Sequence, residues 1–198
     1  MHVLFREKHG LDETAIPIDL KQEPADLVFL SYSDSDLNSF AEGWRRGYRS
    51  SKKNFISLRL ANIETLRHPL SVDTYVTNTL SKSKGILIRL IGGVPYWEYG
   101  LEQIQKMSKK NNIPLAILPA DGRNDERLDN FSNLPISTLR QLSELFNQGG
   151  PIASQAALAQ MALAAGLYAL PVIGEKKVPQ YGFWEPNKIL HTLPQNIE

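Results

Sequence analysis

The sequence predicts an α/β fold, a parallel and doubly wound sheet with helices on its flanks and an open C-terminal tail. Four short apolar runs, at 25–32, 55–63, 86–91 and 115–118, alternate along the chain with helical patterns. This alternation favours parallel strands joined by right-handed crossovers. The runs also lack the polar–apolar alternation of a half-exposed strand, which is typical of strands covered on both faces.

Composition limits the classes of protein that this chain can represent. Its 198 residues suit one domain, or one domain with a tail, and 22 Lys and Arg against 21 Asp and Glu give a net charge of +1. That balance supports neither a nucleic acid partner nor an anionic membrane. The absence of Cys excludes disulfides, zinc–thiolate sites, iron–sulfur clusters and a Cys nucleophile from this chain. The N-terminus is too charged for a signal peptide, so we expect a cytoplasmic protein.

The first predicted unit of the sheet begins after a segment with little pattern. Residues 2–5 read as a short strand, and the chain up to Pro24 reads as a loop. The apolar run 25–32 predicts a buried strand, and Ser33 or Asp34 suits the N-cap of the helix that follows. Gly47 and the basic run after it predict the end of that helix. Its buried stripe consists of apolar residues at helical spacing: Leu37, Phe40, Ala41, Trp44 and Tyr48.

The second and third units follow the same plan. After the strand at 55–63, Ser71 is predicted to cap a helix whose first turn includes Asp73. The strand at 86–91 leads through Gly92 and Gly93 to a helix from about Tyr96 to Lys110. The buried face predicted for this helix consists of Trp97, Leu101, Ile104, Met107 and Ser108.

The last part of the pattern is helical and then irregular. A polar, acidic loop is predicted after the strand at 115–118, followed by a helix marked by 139–146 and closed by Gly149 and Gly150. Pro151 suits the first position of a final helix that is apolar on nearly all sides. We interpret that helix as buried in this domain, or alternatively as a face for a missing domain. We predict an α/β domain over 1–170, and a linker with one or two short strands over 171–198.

Ligands of open parallel sheets bind at the carboxyl ends of the strands. The strongest signal there is Gly92-Gly93 followed by Tyr96 and Trp97. Two glycines let the backbone approach a ligand closely, the helix N-terminus behind them favours anions, and the aromatic rings offer flat apolar faces. The alternative is a tight turn with Trp97 in the core.

Charged residues inside or beside the strands form the second group of candidate binding residues. Arg59 and Arg89 interrupt two apolar strands, so each needs an acidic partner or access to a crevice. His68 lies in a loop, where it could act as an acid, a base or a ligand, but it has no neighbouring His at metal-binding spacing, and we predict no metal site. Motifs for a P-loop, a dinucleotide fold and a serine hydrolase are absent from the sequence.

Three segments of the chain resemble a known family. SLRLANIETLRHPLSVDTYV, LIRLIGGVPYWEYGLEQI and LAILPADGRNDERL, in this order, are similar to the N-terminal region of the cobaltochelatase large subunit of the CobN type. That family is related to the porphyrin-binding H subunit of magnesium chelatase. The resemblance covers the chain from Ala25 to about Pro186, and the GGVPYWEYGLEQ block includes Gly92, Gly93, Tyr96 and Trp97.

The resemblance implies a function that neither composition nor spacing reveals. The family inserts Co²⁺ into the corrinoid hydrogenobyrinic acid a,c-diamide during aerobic cobalamin biosynthesis. Separate AAA+ ATPase subunits use ATP and Mg²⁺, and the large subunit holds the tetrapyrrole. We expect a roughly flavodoxin-like sheet, in a domain that binds no cofactor of its own.

Length is where the chain departs from this family. The family's large subunits are several times longer, so we expect an N-terminal piece that does not catalyse metal insertion alone. Catalytic residues therefore cannot be assigned to this chain by the resemblance. The predicted ligand-binding residues are Arg89, Gly92, Gly93, Tyr96, Trp97, Arg59 and His68. Two alternatives stay open: a magnesium chelatase-type subunit that takes a porphyrin, and a structural or docking domain.

Overall fold

The computed structural model describes residues 16–51 and 55–172, together with the backbone of strands 183–185 and 188–190. Four parallel strands form the sheet in the order β2-β1-β3-β4. This is the strand order of a flavodoxin-like sheet, so the predicted fold class is confirmed. The predicted strand at 2–5 lies outside the described residues. The strands are β1 Leu27–Ser31, β2 Leu58–Asn62, β3 Gly85–Leu90 and β4 Leu115–Pro119.

Helices cover both faces of the sheet. One face packs against α2 and α3, and the other packs against α1, α5 and α6. Short 3-10 turns at Ile63–Leu66, Leu80–Lys82 and Val94–Tyr96 complete the connections. The helices are α1 Asp34–Ser50, α2 Pro69–Asn78, α3 Glu98–Asn111, α4 Glu126–Phe131, α5 Ile136–Gln148 and α6 Gly150–Ala164.

Alternate residues of the central strands supply the two halves of the core. In β1, Val28 and Leu30 face the α2 and α3 layer, whereas Leu27 and Phe29 face the α1, α5 and α6 layer. All four are buried. This arrangement explains why the strand reads as a continuous apolar run, since each side of the pleat meets a helix layer.

The predicted buried face of α3 is confirmed, and that of α1 is confirmed in part. Trp97, at the N-cap of α3, is buried with the α3 residues Leu101, Ile104, Met107 and Ser108. In α1, Phe40 is buried, but Tyr48 is 57% exposed and stacks on Trp44 at the rim. Gly47 does not end α1. It lies inside the helix, where an added Cβ would meet the ring of Phe55 at 2.4 Å.

The prediction for the start of α2 was wrong. His68 is the N-cap, and its Nδ1 accepts a hydrogen bond from the Leu70 amide at 3.1 Å. Ser71 lies inside the helix and instead accepts from the amide of Ile18 at 2.8 Å. Asp73 therefore falls beyond the first turn, and its carboxylate accepts from the hydroxyl of Tyr99 at 2.9 Å. Pro69 occupies the first position of α2, a position that favours Pro, so the helix begins closer to the N-terminus than predicted.

The acidic loop after β4 contains a helix that the sequence analysis did not predict. Asp125 caps α4 by accepting from the Arg127 amide at 2.9 Å. Directly after α4, Ser132 and Asn133 protect the edge of the sheet. The Ile117 amide donates to the Ser132 hydroxyl at 2.9 Å, and the Leu115 amide donates to the Asn133 side chain at 2.7 Å. These bonds occupy backbone groups that an edge strand otherwise leaves open.

The final helix is buried along one side, whereas Leu163 on it is 60% exposed, so both of its interpretations stay open. Seven residues of α6 are buried, and the helix packs closely along α1. The predicted short strands of the tail are present as an antiparallel pair, β5 Phe183–Glu185 and β6 Lys188–Leu190. In the part of the chain that the structure describes, no helix is both long and apolar enough to cross a membrane. The domain boundary at residue 170 stays a prediction.

Candidate site at the strand ends

The carboxyl ends of the four strands meet at one edge of the sheet. Ser31 lies beside Asn62 on one side and beside Arg89 on the other, and Arg89 lies beside Leu118. The chain leaves β1 towards α1 on one face, whereas it leaves β3 towards α3 on the opposite face. A crevice between β1 and β3 is the expected ligand position in such a sheet.

Tyr32, directly after β1, and the turn after β3 flank the position expected for this crevice. The Tyr32 hydroxyl donates to the backbone carbonyl of Tyr96 at 3.4 Å, which links the two sides. Burial raises the pKa of Tyr32 to about 12, although the neighbouring cation of Arg67 opposes the shift. Tyr32 therefore keeps its proton at neutral pH and remains a hydrogen-bond donor. Residues 31–33 were expected at the ligand edge because they follow a buried strand, but Tyr32 was not among the predicted ligand-binding residues.

The two glycines of the turn have positive φ angles, as their residue type allows. Gly92 has φ +81° and Gly93 has φ +72°. A Cβ on Gly92 would lie 2.3 Å from the ring of Tyr96. The space beside Gly92 is therefore occupied by the Tyr96 ring. Tyr96 is itself 66% exposed, and Ile91 beside it is 49% exposed. The exposed apolar side chains at the turn are therefore those of Ile91 and Tyr96.

Trp97 does not share this surface. Its ring is 3% exposed and belongs to the core between the sheet and α3. The indole N–H donates to the backbone carbonyl of Leu66 at 3.0 Å, which satisfies its one polar atom. Trp97 thus fixes the position of the turn from behind, in agreement with the alternative interpretation of the aromatic cluster.

Arg89 has the acidic partner that its place in an apolar strand requires. Its guanidinium donates to the Asp36 carboxylate at 2.7 Å and to the Ala120 carbonyl at 3.2 Å. The two side chains of the pair are only 15% and 14% exposed. The guanidinium also lies 4.7 Å from the centre of the Phe146 ring. Arg89 therefore joins β3 to α1, to α5 and to the residue that follows β4.

Asp36, in the first turn of α1, is the centre of this network. Its second carboxylate oxygen accepts from the hydroxyl of Ser31 at 2.9 Å. The hydroxyl of Ser31 in turn accepts from the amide of Ser33 at 3.1 Å. The signal for this partnership was present in the sequence, because a buried strand arginine needs an acid and Asp36 follows the neighbouring strand.

The other two predicted binding residues lie apart from this network. Arg59 is the second residue of the edge strand β2, where its Nε donates to the Glu23 carbonyl at 2.8 Å. His68 caps α2 through Nδ1, which assigns its proton to Nε2. Neither side chain is brought to the β1–β3 crevice by a contact in the described structure. Their role in ligand binding stays a prediction.

A small cavity opens beside the Arg89–Asp36 pair, between α1, α5 and the start of α6. Its volume is about 190 Å³, below the roughly 300 Å³ at which ligand pockets usually begin. This cavity is therefore too small to hold a large ligand. Within 16–51 and 55–172, no three His, Asp or Glu residues group as a metal site would require. The cavity is lined by Ser35, Asp36, Ser39, Phe40, Leu145, Phe146, Gly149, Gly150, Ala153, Ser154 and Ala157.

Comparison with known proteins gives relatives of one kind. The chain is 36% identical over 150 residues to the aerobic cobaltochelatase subunit CobN of a Sinorhizobium species, and 35% identical over 150 residues to that of Pseudomonas aeruginosa. Each alignment covers 76% of this chain but only 11% and 12% of the respective relatives. The chain thus spans about one-ninth of the length of the curated relatives that it matches. No family model matches the sequence.

A solved structure supports the same fold. The catalytic subunit of cobaltochelatase from Mycobacterium tuberculosis superposes with a TM-score of 0.53 at 22% identity. The match covers 81% of this chain and 12% of that subunit. The chain therefore belongs to the CobN cobaltochelatase family, as its resemblance to the N-terminal region of the large subunit predicted.

Proposed function

We propose that this chain acts as the N-terminal domain of the tetrapyrrole-binding large subunit of an ATP-dependent cobalt chelatase. The complex would insert Co²⁺, its metal substrate, into hydrogenobyrinic acid a,c-diamide in aerobic cobalamin biosynthesis in the cytoplasm. The observation that carries the proposal is the 36% identity to CobN over 150 residues. ATP and Mg²⁺ would be used by separate AAA+ subunits, consistent with a sequence that has no P-loop motif.

The role that we assign to this domain is to form part of the wall of the tetrapyrrole cavity. The turn after β3 presents the exposed side chains of Tyr96 and Ile91. A tetrapyrrole has a broad apolar face, and an aromatic ring can stack on such a face. The Arg89–Asp36 pair and the buried Trp97 would hold the turn in place rather than touch the ligand.

Metal insertion itself requires steps that this proposal leaves to other parts of the large subunit. The metal must lose water, and two pyrrole N–H groups must lose their protons to basic side chains in a dry cavity. The surface at Tyr96 is open and would contribute binding and orientation. The domain is therefore proposed as inactive on its own.

A docking domain is the second candidate, and one observation favours it. Arg89 and Trp97, which lie in or next to the GGVPYWEYGLEQ block, make their polar contacts inside the domain. A block of this kind can serve packing as well as binding. In that case the strand-end surface would contact the ATPase subunits or another part of the large subunit.

A fluorescence titration with the metal-free corrinoid tests the proposal, with a porphyrin as the control ligand. The expected result is saturable, corrinoid-selective quenching of the Trp emission. Replacing Tyr96 with Ala should weaken binding about fivefold to tenfold, because one stacking face is lost. The matched control is Tyr168→Ala, since Tyr168 is 80% exposed and lies after α6, away from the strand ends.

The competing candidates give different results in this titration. Porphyrin-selective quenching would indicate a subunit of the magnesium chelatase type. A folded protein that is not quenched by either ligand would contradict the cavity role and favour docking. Loss of ATPase-subunit capture by Tyr96→Ala, measured with the purified subunits, would then identify the docking face.

A further inference from the structure

Arg67 is a charged residue near the strand ends that the proposed function does not use. It caps the C-terminal end of the 3-10 turn Ile63–Leu66, which follows β2. The carbonyl of Leu66, the residue before it, accepts the hydrogen bond from the indole N–H of Trp97 at 3.0 Å. The backbone that carries Arg67 therefore lies against the turn after β3, which also carries the exposed Tyr96.

Tyr32 connects Arg67 with Tyr96. Its hydroxyl donates to the backbone carbonyl of Tyr96 at 3.4 Å. The Arg67 guanidinium neighbours the same hydroxyl, because burial raises the pKa of Tyr32 while the charge of Arg67 opposes this rise. A single phenol hydroxyl therefore separates the Arg67 cation from the backbone of Tyr96.

Arg67 is placed differently from Arg89, the buried arginine of β3. Arg89 is only 15% exposed and is held by the Asp36 carboxylate and by a backbone carbonyl. The side chain of Arg67 is 48% exposed, and it pairs with Glu64, a surface carboxylate at 3.2 Å that is itself 55% exposed.

The ion pair with Glu64 leaves Arg67 able to bind a second anion. A guanidinium has five N–H donors, so one contact of 3.2 Å does not saturate it. An exposed ion pair also contributes little free energy. An anionic ligand can therefore share Arg67 with Glu64 or displace Glu64 from it.

The proposed ligand has the chemical groups that Tyr96 and Arg67 would recognise. Hydrogenobyrinic acid a,c-diamide combines the broad face of a tetrapyrrole with carboxyl groups at its rim, of which those named a and c are amides. The face can stack on the Tyr96 ring, and a rim carboxylate can accept charge-assisted hydrogen bonds from a guanidinium. A macrocycle is much wider than one phenol ring, so both contacts can form at once.

We propose that Arg67 binds a rim carboxylate of the tetrapyrrole and so orients a ligand whose face lies on Tyr96. This inference rests on the proposed function and adds to it a residue that recognises the charge of the substrate. Glu64 would be the competing carboxylate, which pairs with Arg67 when no ligand is bound.

Two matched ligands test this role in the 198-residue chain. One is the metal-free corrinoid acid, and the other is its fully amidated form, in which every carboxylate is replaced by a neutral amide of similar size. Arg67→Gln should raise the Kd for the acid about threefold to fivefold, the size expected for an exposed ion pair. The Kd for the amide should stay unchanged. Quenching of the Trp emission measures both constants.

Glu64→Gln removes the same ion pair from its other side and should act in the opposite direction. Because the competing carboxylate is gone, the Kd for the acid should fall about twofold, and the Kd for the amide should not change. The control is Arg45→Gln, since Arg45 forms an equivalent exposed pair with Glu42 in the second half of α1. This control should alter neither Kd.

The outcomes separate this inference from the proposed function. A wild-type protein that binds neither corrinoid would overturn both. If the wild type binds the acid, and Arg67→Gln keeps the wild-type Kd or weakens the acid and the amide equally, only the role of Arg67 is overturned. A shift of the Arg67 and Glu64 variants in the same direction, with wild-type circular dichroism, would also overturn it, because the pair would then act through structure alone.

Discussion

At the scale of single residues, the Asp36–Arg89 pair shows how a charge is accommodated within an apolar strand. Both side chains are about 85% buried, and each has further hydrogen-bond partners. A buried charge of this kind is tolerated when it is paired, and removing one partner leaves the other uncompensated. The pair thus fixes how α1 and the turn after β3 lie relative to each other.

Asp36→Ala should lower the free energy of unfolding by about 3 kcal/mol, because it leaves the Arg89 guanidinium without its counter-charge. Urea denaturation measures this loss. Glu64→Ala is the control, because Glu64 pairs with Arg67 at 3.2 Å on the exposed surface, and such a pair contributes less than about 1 kcal/mol. Similar losses in the two variants would show that the Asp36–Arg89 pair has no special role.

The residues of the candidate site also show what a pattern can and cannot reveal. The aromatic block was visible in the sequence, but Tyr96 is exposed while Trp97, its neighbour, is 3% exposed. The division depends on the 3-10 turn at Val94–Tyr96, which rotates the two adjacent side chains to different sides. Backbone geometry of this kind is not encoded in residue type or spacing alone.

At the scale of elements, close contact between α1 and α6 organises one face of the sheet. The contact is possible because Gly43 has no side chain at the crossing. A Cβ there would lie 2.7 Å from the Gln155 amide nitrogen and 2.9 Å from the Pro151 carbonyl oxygen. Both of these atoms belong to the backbone of α6, so the helix itself would have to move.

Gly43→Ala should therefore lower the free energy of unfolding by up to about 2 kcal/mol. Overpacking costs about 1–3 kcal/mol, and the better helix propensity of Ala offsets about 1 kcal/mol of it. Asn38→Ala, at an exposed position of the same helix, should leave stability unchanged or slightly raised. The urea midpoint of each variant checks the prediction, and a stabilised Gly43→Ala would contradict the close crossing.

The start of a helix was predicted correctly where a common N-cap residue caps it. Ser33 caps α1 as predicted, by accepting from the Asp36 amide at 3.2 Å. His68 was missed as the cap of α2, because Ser is the more common N-cap and Ser71 lay nearby. Ser71 is instead used by a contact with Ile18, 53 residues away in sequence, which only the tertiary structure provides.

At the scale of the whole molecule, Asp26 holds the amino ends of three strands together. Its carboxylate accepts from the amide and the hydroxyl of Ser57, before β2, and pairs with Lys84, before β3, at 2.8 Å. Burial acts to raise the pKa of Asp26. The bonds from Lys84 and Ser57 outweigh this effect and hold the pKa below its usual value.

This depressed pKa predicts a pH dependence of global stability. A carboxyl group whose pKa is lower in the folded state stabilises the fold above its unfolded pKa of about 3.9, and the contribution is lost as the pH falls through the folded value. The stability difference between wild type and Asp26→Asn should be constant near neutral pH and shrink below about pH 4. Urea denaturation at several pH values measures this stability difference. A difference that does not vary with pH would contradict the lowered pKa of Asp26.

Besides the family, which the resemblance identified, the sequence by itself determined the four strands, their parallel direction and their alternation with helices. Those features follow from local properties, because apolar runs, caps and turn glycines act through neighbours in the chain. Tertiary structure alone decided that Asp36 pairs with Arg89, that Trp97 is core and that one side of α6 is left open. These outcomes depend on contacts between residues far apart in sequence, such as Asp36 and Arg89, which lie 53 positions apart. No local pattern fixes such contacts, since they arise only when the packed sheet brings its strand ends together.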